Sequence, residues 1–440
     1  MSAGRRMGWG VAAWLLSVVG LQGQTDAGSR FVSADFPLGG ARYMGMGGAL
    51  SAVGHDAGAV AENPSLGTVY RVGQWEGSLA QSVAKGKAQF GVPALAYTHI
   101  FQKGTTRWAV GGSVLSHATR TGQWSRDGDE GRSWVTSWLQ QAEGNASNEL
   151  VGLGLTDVYQ AWYVYILDQD PTTQAWVPGA QGAPGTAFQT VNWAERGYQQ
   201  TVHGSVRGDH FSFGISAEAV QRTRELEVHV EEGGFSNSGW IGSWYWDTRE
   251  TTRWTGWRTR MGMWWNPDGG PWRLAAAWRG TGFGKLQDST TSYMDANSLT
   301  SSITVQPIKV VDRTVADFNA PGQLTLAASR VFGRDGLVSV EGRSNVQGQW
   351  EARAGGEWRQ DAWSYRAGYR FVPNTTGKFD WDGLHQGSFG VGVRGNRWFL
   401  DAAWQLTYRQ AQYLSPQWDG PWKTSMAATR AILTLGYRIR

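Results

Sequence analysis

Seven histidines are the residues of this chain best suited to acid–base or metal chemistry: His55, His99, His117, His203, His210, His229 and His385. None falls in an HExxH spacing, which would set two imidazoles on one helix face to hold zinc. His203 and His210 flank a predicted turn at opposite ends of a hairpin, where solvated or locally bonded rings are the simpler reading. No Gly-x-Ser-x-Gly elbow sits on a strand–helix turn. There is no cysteine, which excludes disulfides and thiolate metal sites. Catalytic residues assembled from separate loops stay open as an alternative, but the expectation is a non-enzyme with no metal and no cofactor. What remains is a set of charges: Glu351, Arg353, Glu357, Arg366 and Arg370, with Glu341, Arg343, Arg394 and Asp401. Their use depends on the elements that carry them.

Those elements alternate. From Arg397 to Arg409, Trp398, Leu400, Ala402, Trp404, Leu406 and Tyr408 take one face, and Arg397, Asp401, Gln405, Thr407 and Arg409 the other. Successive strand side chains point to opposite faces. In Trp350–Arg359, Trp350, Ala352, Ala354, Gly356 and Trp358 oppose Glu351, Arg353, Glu357 and Arg359. An apolar face with aromatics near the strand ends, backed by a polar one, is the pattern of a transmembrane β-barrel. A charge facing lipid at mid-bilayer costs roughly 2–4 kcal/mol, so the charges above are expected in the lumen. Their mixed signs favour mutual pairing that stiffens the wall; an anion site for a carboxylate head group is the other reading.

Fourteen such stretches run from 75–84 to 428–440. Short turns follow the even ones, at 102–106, 208–209, 266–270, 333–335, 360–361 and 395–396. Long segments follow several odd ones, chiefly 119–198, 222–251 and 282–321. Outer-membrane barrels have short periplasmic turns and longer external loops. The expected fold is all-β: an antiparallel transmembrane barrel of about fourteen strands over 75–440, with both barrel termini periplasmic.

Composition agrees. The chain has 27 Trp among 440 residues, and Trp favours the membrane–water interface; an aromatic carbohydrate-binding surface is the alternative. Residues 1–23 read as a secretory signal, with Arg5 and Arg6 before the apolar run Gly8–Leu21 and cleavage between 20 and 27. Its removal takes the net charge from +4 to about +2 by loss of two arginines. No basic stripe stands out, so nucleic acid is not an expected partner. After the signal no stretch of 18 apolar residues occurs, so no transmembrane helix is expected.

Residues 24–74 are rich in Gly, Ala and Met and do not alternate, which suits a compact plug inside the barrel. They contain Gly40-Ala41-Arg42-Tyr43-Met44-Gly45-Met46-Gly47-Gly48-Ala49, then Asp56-Ala57, then Asn63-Pro64-Ser65-Leu66-Gly67. Pro64 holds Asn63 extended, and the Asn side chain can bond nearby backbone. Gly45, Gly47 and Gly48 lack the preceding strand, following helix and Lys-Ser/Thr pair of a phosphate-cradling loop. Over residues 38–71 the run resembles the FadL/TodX family of outer-membrane transporters for long-chain fatty acids and other hydrophobic compounds, in the form common in Bacteroidota. The resemblance implies that this segment is a luminal hatch and that Asn63, Pro64 and Ser65 help hold it, with Arg42, Met44, Gly45, Gly47 and Gly48 in the same motif. Ser65 departs from the family's usual Ala. The chain also ends in Arg440, where such barrels commonly present an aromatic to the insertion machinery.

The same resemblance places an external hydrophobic capture groove after strands five and seven. The cluster Phe235, Trp240, Ile241, Trp244, Tyr245 and Trp246 is expected to form it, since exposed apolar clusters tend to be binding surfaces. Packing among loops is the alternative. The leading functional expectation is passive uptake of hydrophobic small molecules in a Gram-negative outer membrane, with exit past the hatch or through the wall. The partners expected are outer-membrane lipid, an apolar ligand and the barrel-insertion machinery. A scaffold or shuttle in a protein-secretion or surface-attachment system is the second reading, and a general porin the third.

Overall fold

The computed structural model describes residues 38–439 apart from 85–86, 128–132, 236–238, 346–347, 374–378 and 414–421. The expected signal, and the part of the plug before residue 38, lie outside the described residues. The strands are β1 (Gly73–Ala84), β2 (Lys87–Lys103), β3 (Thr106–Asp127), β4 (Leu167–Gln169), β5 (Trp176–Pro178), β6 (Thr186–Arg207), β7 (Phe211–Gly233), β8 (Ile241–Trp265), β9 (Trp272–Arg279), β10 (Gly282–Ser298), β11 (Ile308–Ala320), β12 (Gln323–Phe332), β13 (Gly336–Asn345), β14 (Trp350–Gln360), β15 (Trp363–Val372), β16 (Phe379–Arg394), β17 (Trp398–Tyr413) and β18 (Trp422–Ile439). Among the described residues four α-helices accompany them: α1 (Ala41–Gly45), α2 (Ala57–Glu62), α3 (Trp134–Ala142) and α4 (Thr156–Tyr163).

Every neighbouring pair in the wall is antiparallel, and β1 closes on β18 from Gly73↔Ile439 to Ala84↔Ala428. β8 pairs with β9 up to Arg260↔Arg279 and with β10 from Trp257↔Phe283 onward. β9 and β10 are therefore one stave with an extra residue between them. β11 and β12 are likewise one stave, interrupted at Pro321, which cannot donate to a ladder. With β4 and β5 in a separate small hairpin, the barrel has fourteen staves. The six even connections are all short and lie on one rim, together with Gly73 and Ile439.

Alternation sets the two faces. On β17, Trp404 and Leu406 are exposed outward while Asp401, Ala403 and Gln405 are buried inward. On β8, Trp257, Met261 and Met263 face out and Arg258, Arg260 and Trp264 face in. No described helix is long and apolar enough to cross a membrane; the crossing is made by strands whose outward face is apolar.

Of the segments expected as external loops, 222–251 and 282–321 are mostly strand, and 119–198 is strand at both ends. β8 runs 25 residues and β7 runs 23, more than twice the roughly 9–11 residues that span a bilayer. Above the apolar band their outward residues turn polar, as with Glu225, Glu227, Asp247 and Arg249. The apolar–polar contrast that reveals a half-buried strand disappears there, although the ladder continues. Among these tall strands sits residues 133–181, carrying α3, α4 and the β4–β5 hairpin. Trp138, Val158, Ala161 and Ile166 pack there on Val230, Trp244 and Met294 from β7, β8 and β10.

Candidate functional site in the barrel lumen

Residues 38–72 contact inward-facing side chains around the wall. Asp56 caps α2, its carboxylate accepting from the backbone N–H of Gly58 at 2.8 Å, Tyr43 at 3.1 Å and Gly40 at 3.2 Å. Burial nevertheless pushes that carboxyl above its ordinary range. This one side chain gathers α1 onto α2, as an N-cap aspartate can when further donors are near. Arg42 is 2 % exposed. It donates from Nε to Glu357 on β14 at 2.8 Å and from Nη1 to the Gly54 carbonyl at 2.7 Å.

Asn63 makes the second attachment. Its Oδ1 accepts from the Ser65 N–H at 3.2 Å and from the Ser65 hydroxyl at 2.6 Å. Its Nδ2 donates to the Ser51 carbonyl at 3.0 Å and to the Met263 carbonyl of β8 at 3.3 Å. Pro64 opens the 3-10 turn that follows. The hydroxyl that sets Ser65 apart from alanine thus closes the turn on Asn63. The Ser65 carbonyl accepts from Ser212 of β7 at 2.7 Å.

The glycines allow close approach. Gly47 and Gly48 have φ of +64° and +80°, conformations that favour glycine. Gly45 lies against Gly390 of β16, and the Gly45 carbonyl accepts from Ser388 at 3.2 Å. Met44 is buried, its carbonyl accepting from Gln405 at 3.2 Å. The wall reciprocates with glycines of its own: a Cβ at Gly214, Gly262, Gly355 or Gly368 would collide with Pro64, Asn63, Met46 or Gly47. These wall glycines were not singled out from the sequence. Their signal is a glycine at an inward position of an otherwise charged strand face.

Of the nine charges expected to face inward, Glu341, Arg343, Glu351, Arg353, Glu357, Arg366, Arg370 and Asp401 are buried and Arg394 is half-buried. Glu357 pairs with Arg366 at 2.7 Å and Arg359 at 2.6 Å. Arg366 also reaches Asp401 at 2.6 Å. Glu351 takes Arg370 at 2.6 Å and, closer still, Arg353. Arg353 donates to the Tyr43 hydroxyl at 2.7 Å and to the Gly48 carbonyl at 3.2 Å. Glu62 of α2 binds Arg260 at 2.5 Å and Arg343 at 2.8 Å. The network pairs within the wall and also grips the N-terminal segment.

The six residues expected as an external capture surface do not form an open one. Ile241 and Trp244 are each 1 % exposed, and Phe235, Trp240 and Trp246 pack against the same cluster. Strand alternation explains this. Trp244 and Trp246 point inward, where α3 covers them, with Trp138 at 4.9 Å from Trp244 and Trp134 at 5.7 Å from Trp246. Tyr245 takes the opposite face, against Tyr293 at 5.7 Å. The exposed apolar residues of this layer are instead Val151, Leu153, Tyr163 and Tyr165, with Leu299 nearby in sequence to β10. Val151 and Leu153, on either side of Gly152, are the sequence signal for the first two.

The histidines are dispersed. His203 is buried at the inner face of β6, His229 bonds Asp247 on an outer face at 2.7 Å, and His385 bonds the Tyr369 hydroxyl at 2.6 Å. Among the described residues no three His, Asp or Glu gather as a metal site.

No protein-family model and no curated protein matches the chain. Solved structures do. A FadL homologue of Pseudomonas aeruginosa is similar with a TM-score of 0.56 at 13 % identity, covering 92 % of this chain and 99 % of its own. The toluene transporter TodX of P. putida gives 0.52 at 14 %, covering 92 % and 100 %. The monoaromatic hydrocarbon channel CymD gives 0.52 at 12 %, covering 92 % and 99 %. Fourteen staves, an apolar belt and a segment threaded among luminal charges therefore go with a known architecture: the chain has the fold of the FadL- and TodX-type channels.

Proposed function

We propose that this protein is an outer-membrane channel for passive uptake of hydrophobic small molecules. In this reading the short-turn rim and both ends of the barrel are periplasmic, and residues 38–72 are the hatch. Long-chain fatty acids are one class of compound it covers. The observation that carries the reading is the shared fold over 92 % of the chain with channels whose names give toluene and monoaromatic hydrocarbons as cargo. The exposed side chains of Val151, Leu153, Tyr163 and Tyr165 offer apolar surface to a ligand arriving from outside. The luminal ion pairs hold the segment without a nucleotide loop or any other energy-coupling motif, which suits diffusion down a gradient.

The test is uptake of radiolabelled oleate and toluene by a Gram-negative host lacking its own hydrophobic-compound channel, with and without this protein inserted in the outer membrane. Faster entry of either compound is the expected result. Insertion with no gain for any apolar compound, together with stable co-purification of secretion components, would replace this reading by the scaffold.

A further inference from the structure

A cavity of about 510 Å³ opens at the short-turn rim, lined by seven arginines and a single carboxylate, Asp335. The arginines converge from separate elements: Arg42 and Arg71 from the N-terminal segment, Arg273 from β9, Arg334 from the β12–β13 turn, Arg359 from β14, Arg394 from β16 and Arg438 from β18. Internal pairing does not neutralise them. Arg42, Arg359 and Arg366 share Glu357, and only Arg366 reaches a second acid, Asp401. Among the described residues neither Arg273 nor Arg394 has an ion-pair partner, and the Nε of Arg394 is buried without a hydrogen bond. An excess of several positive charges is thus held around one chamber of small-molecule size. Guanidinium forks match the paired oxygens of phosphate and carboxylate groups.

We propose that this chamber is a binding site for a small polyanion, a molecule carrying a phosphate or several carboxylates, entered from the short-turn side. The size of the charge excess is what selects a multivalent anion over a monocarboxylate. The chamber also touches the segment that crosses the lumen, because Arg42 and Arg359 both line it and both hold Glu357. A bound polyanion would compete with Glu357 for those two guanidiniums. The site does not depend on whether the channel carries hydrophobic compounds.

The test is calorimetric titration of the full-length protein in neutral detergent at low ionic strength with pyrophosphate, citrate, orthophosphate and acetate. Pyrophosphate and citrate are expected to bind at least about tenfold tighter than acetate, as charge-assisted bonds accumulate, and to weaken as salt is raised. Arg273→Gln with Arg394→Gln should weaken pyrophosphate by about thirtyfold or more. Arg330→Gln, whose guanidinium lies over the Trp272 and Phe332 rings, should leave binding unchanged. Equal affinity for citrate and pyrophosphate would mark recognition by charge, and pyrophosphate alone recognition of phosphate. If the double variant does not form a barrel, Arg334→Gln on the exposed turn provides the readout, with an expected loss of about threefold. Acetate binding as tightly as pyrophosphate, or no loss in the Arg273/Arg394 double variant or, where that one does not fold, in Arg334→Gln, overturns the proposal.

Discussion

Arg42 and Glu357 lie 2.8 Å apart, Nε to Oε2, with both side chains sealed from solvent. The same guanidinium holds the Gly54 carbonyl, so one residue joins α1, the turn before α2 and the β14 wall. Arg42→Gln leaves Glu357 still paired with Arg359 and Arg366, so no bare buried carboxylate results. The expected loss is about 1–3 kcal/mol of segment docking. Hydrogen exchange over residues 40–70 should rise about tenfold or more, while the heat-modifiable mobility of the barrel stays as it was.

Asn63 acts through both ends of its amide. Asn63→Ala removes the acceptor of the Ser65 turn and the donors to Ser51 and Met263, at an expected cost of about 2–4 kcal/mol. Asn63→Asp keeps the acceptor but turns a carboxylate toward two carbonyls. It should be at least as damaging, which hydrogen exchange and limited proteolysis of the segment would register. Near-native protection in Asn63→Asp would mean that the two donated bonds carry little.

Wall glycines should divide by position. Gly368→Ala places a Cβ against the backbone of Met46 and Gly47, which cannot retreat far from the wall. Gly387→Ala meets nothing within 4 Å. The first is expected to raise ion conductance in planar bilayers by displacing the segment, and the second to behave as the parent.

Trp138 is fully buried between α3 and β8. Trp138→Ala should cost about 3–5 kcal/mol locally. The loss should appear as early proteolysis within 133–181, with the membrane-embedded staves unaffected, because this layer has a hydrophobic cluster of its own.

His55 provides a pH signature. Burial, then the guanidiniums of Arg42, Arg394, Arg359 and Arg273, hold its imidazole well below the ordinary range, with the Tyr70 ring edge-on at 5.3 Å. The docked ring is neutral, whereas an undocked one protonates near 6.5. Docking is therefore at full strength above about pH 6.5 and weakens as pH falls through that value, by up to about 1.4 kcal/mol per unit. His55→Asn tolerates the backbone φ of +63° and should remove the imidazole's share of the pH dependence from protection factors, with intrinsic exchange corrected for, measured between pH 7 and 5.

Much of this protein was legible as one-dimensional pattern. A period of two, with Trp404 and Leu406 on one face and Asp401 and Gln405 on the other, is a local consequence of strand geometry, so all fourteen staves and the six short turns could be read directly. The inward direction of Arg353 and Arg370 followed from the cost of a charge in hydrocarbon. Where the wall leaves the bilayer, both faces of β8 and β10 become polar or mixed, and a strand then reads as a loop. Tertiary structure alone decided what those charges do and which surfaces stay open. Arg42 meets Glu357 across 315 residues, a pairing no spacing encodes. Trp244 looks like an exposed aromatic until α3, more than a hundred residues upstream, is seen to cover it. Seven arginines scattered from Arg42 to Arg438 become one chamber only because the barrel closes and brings its short turns onto a common rim.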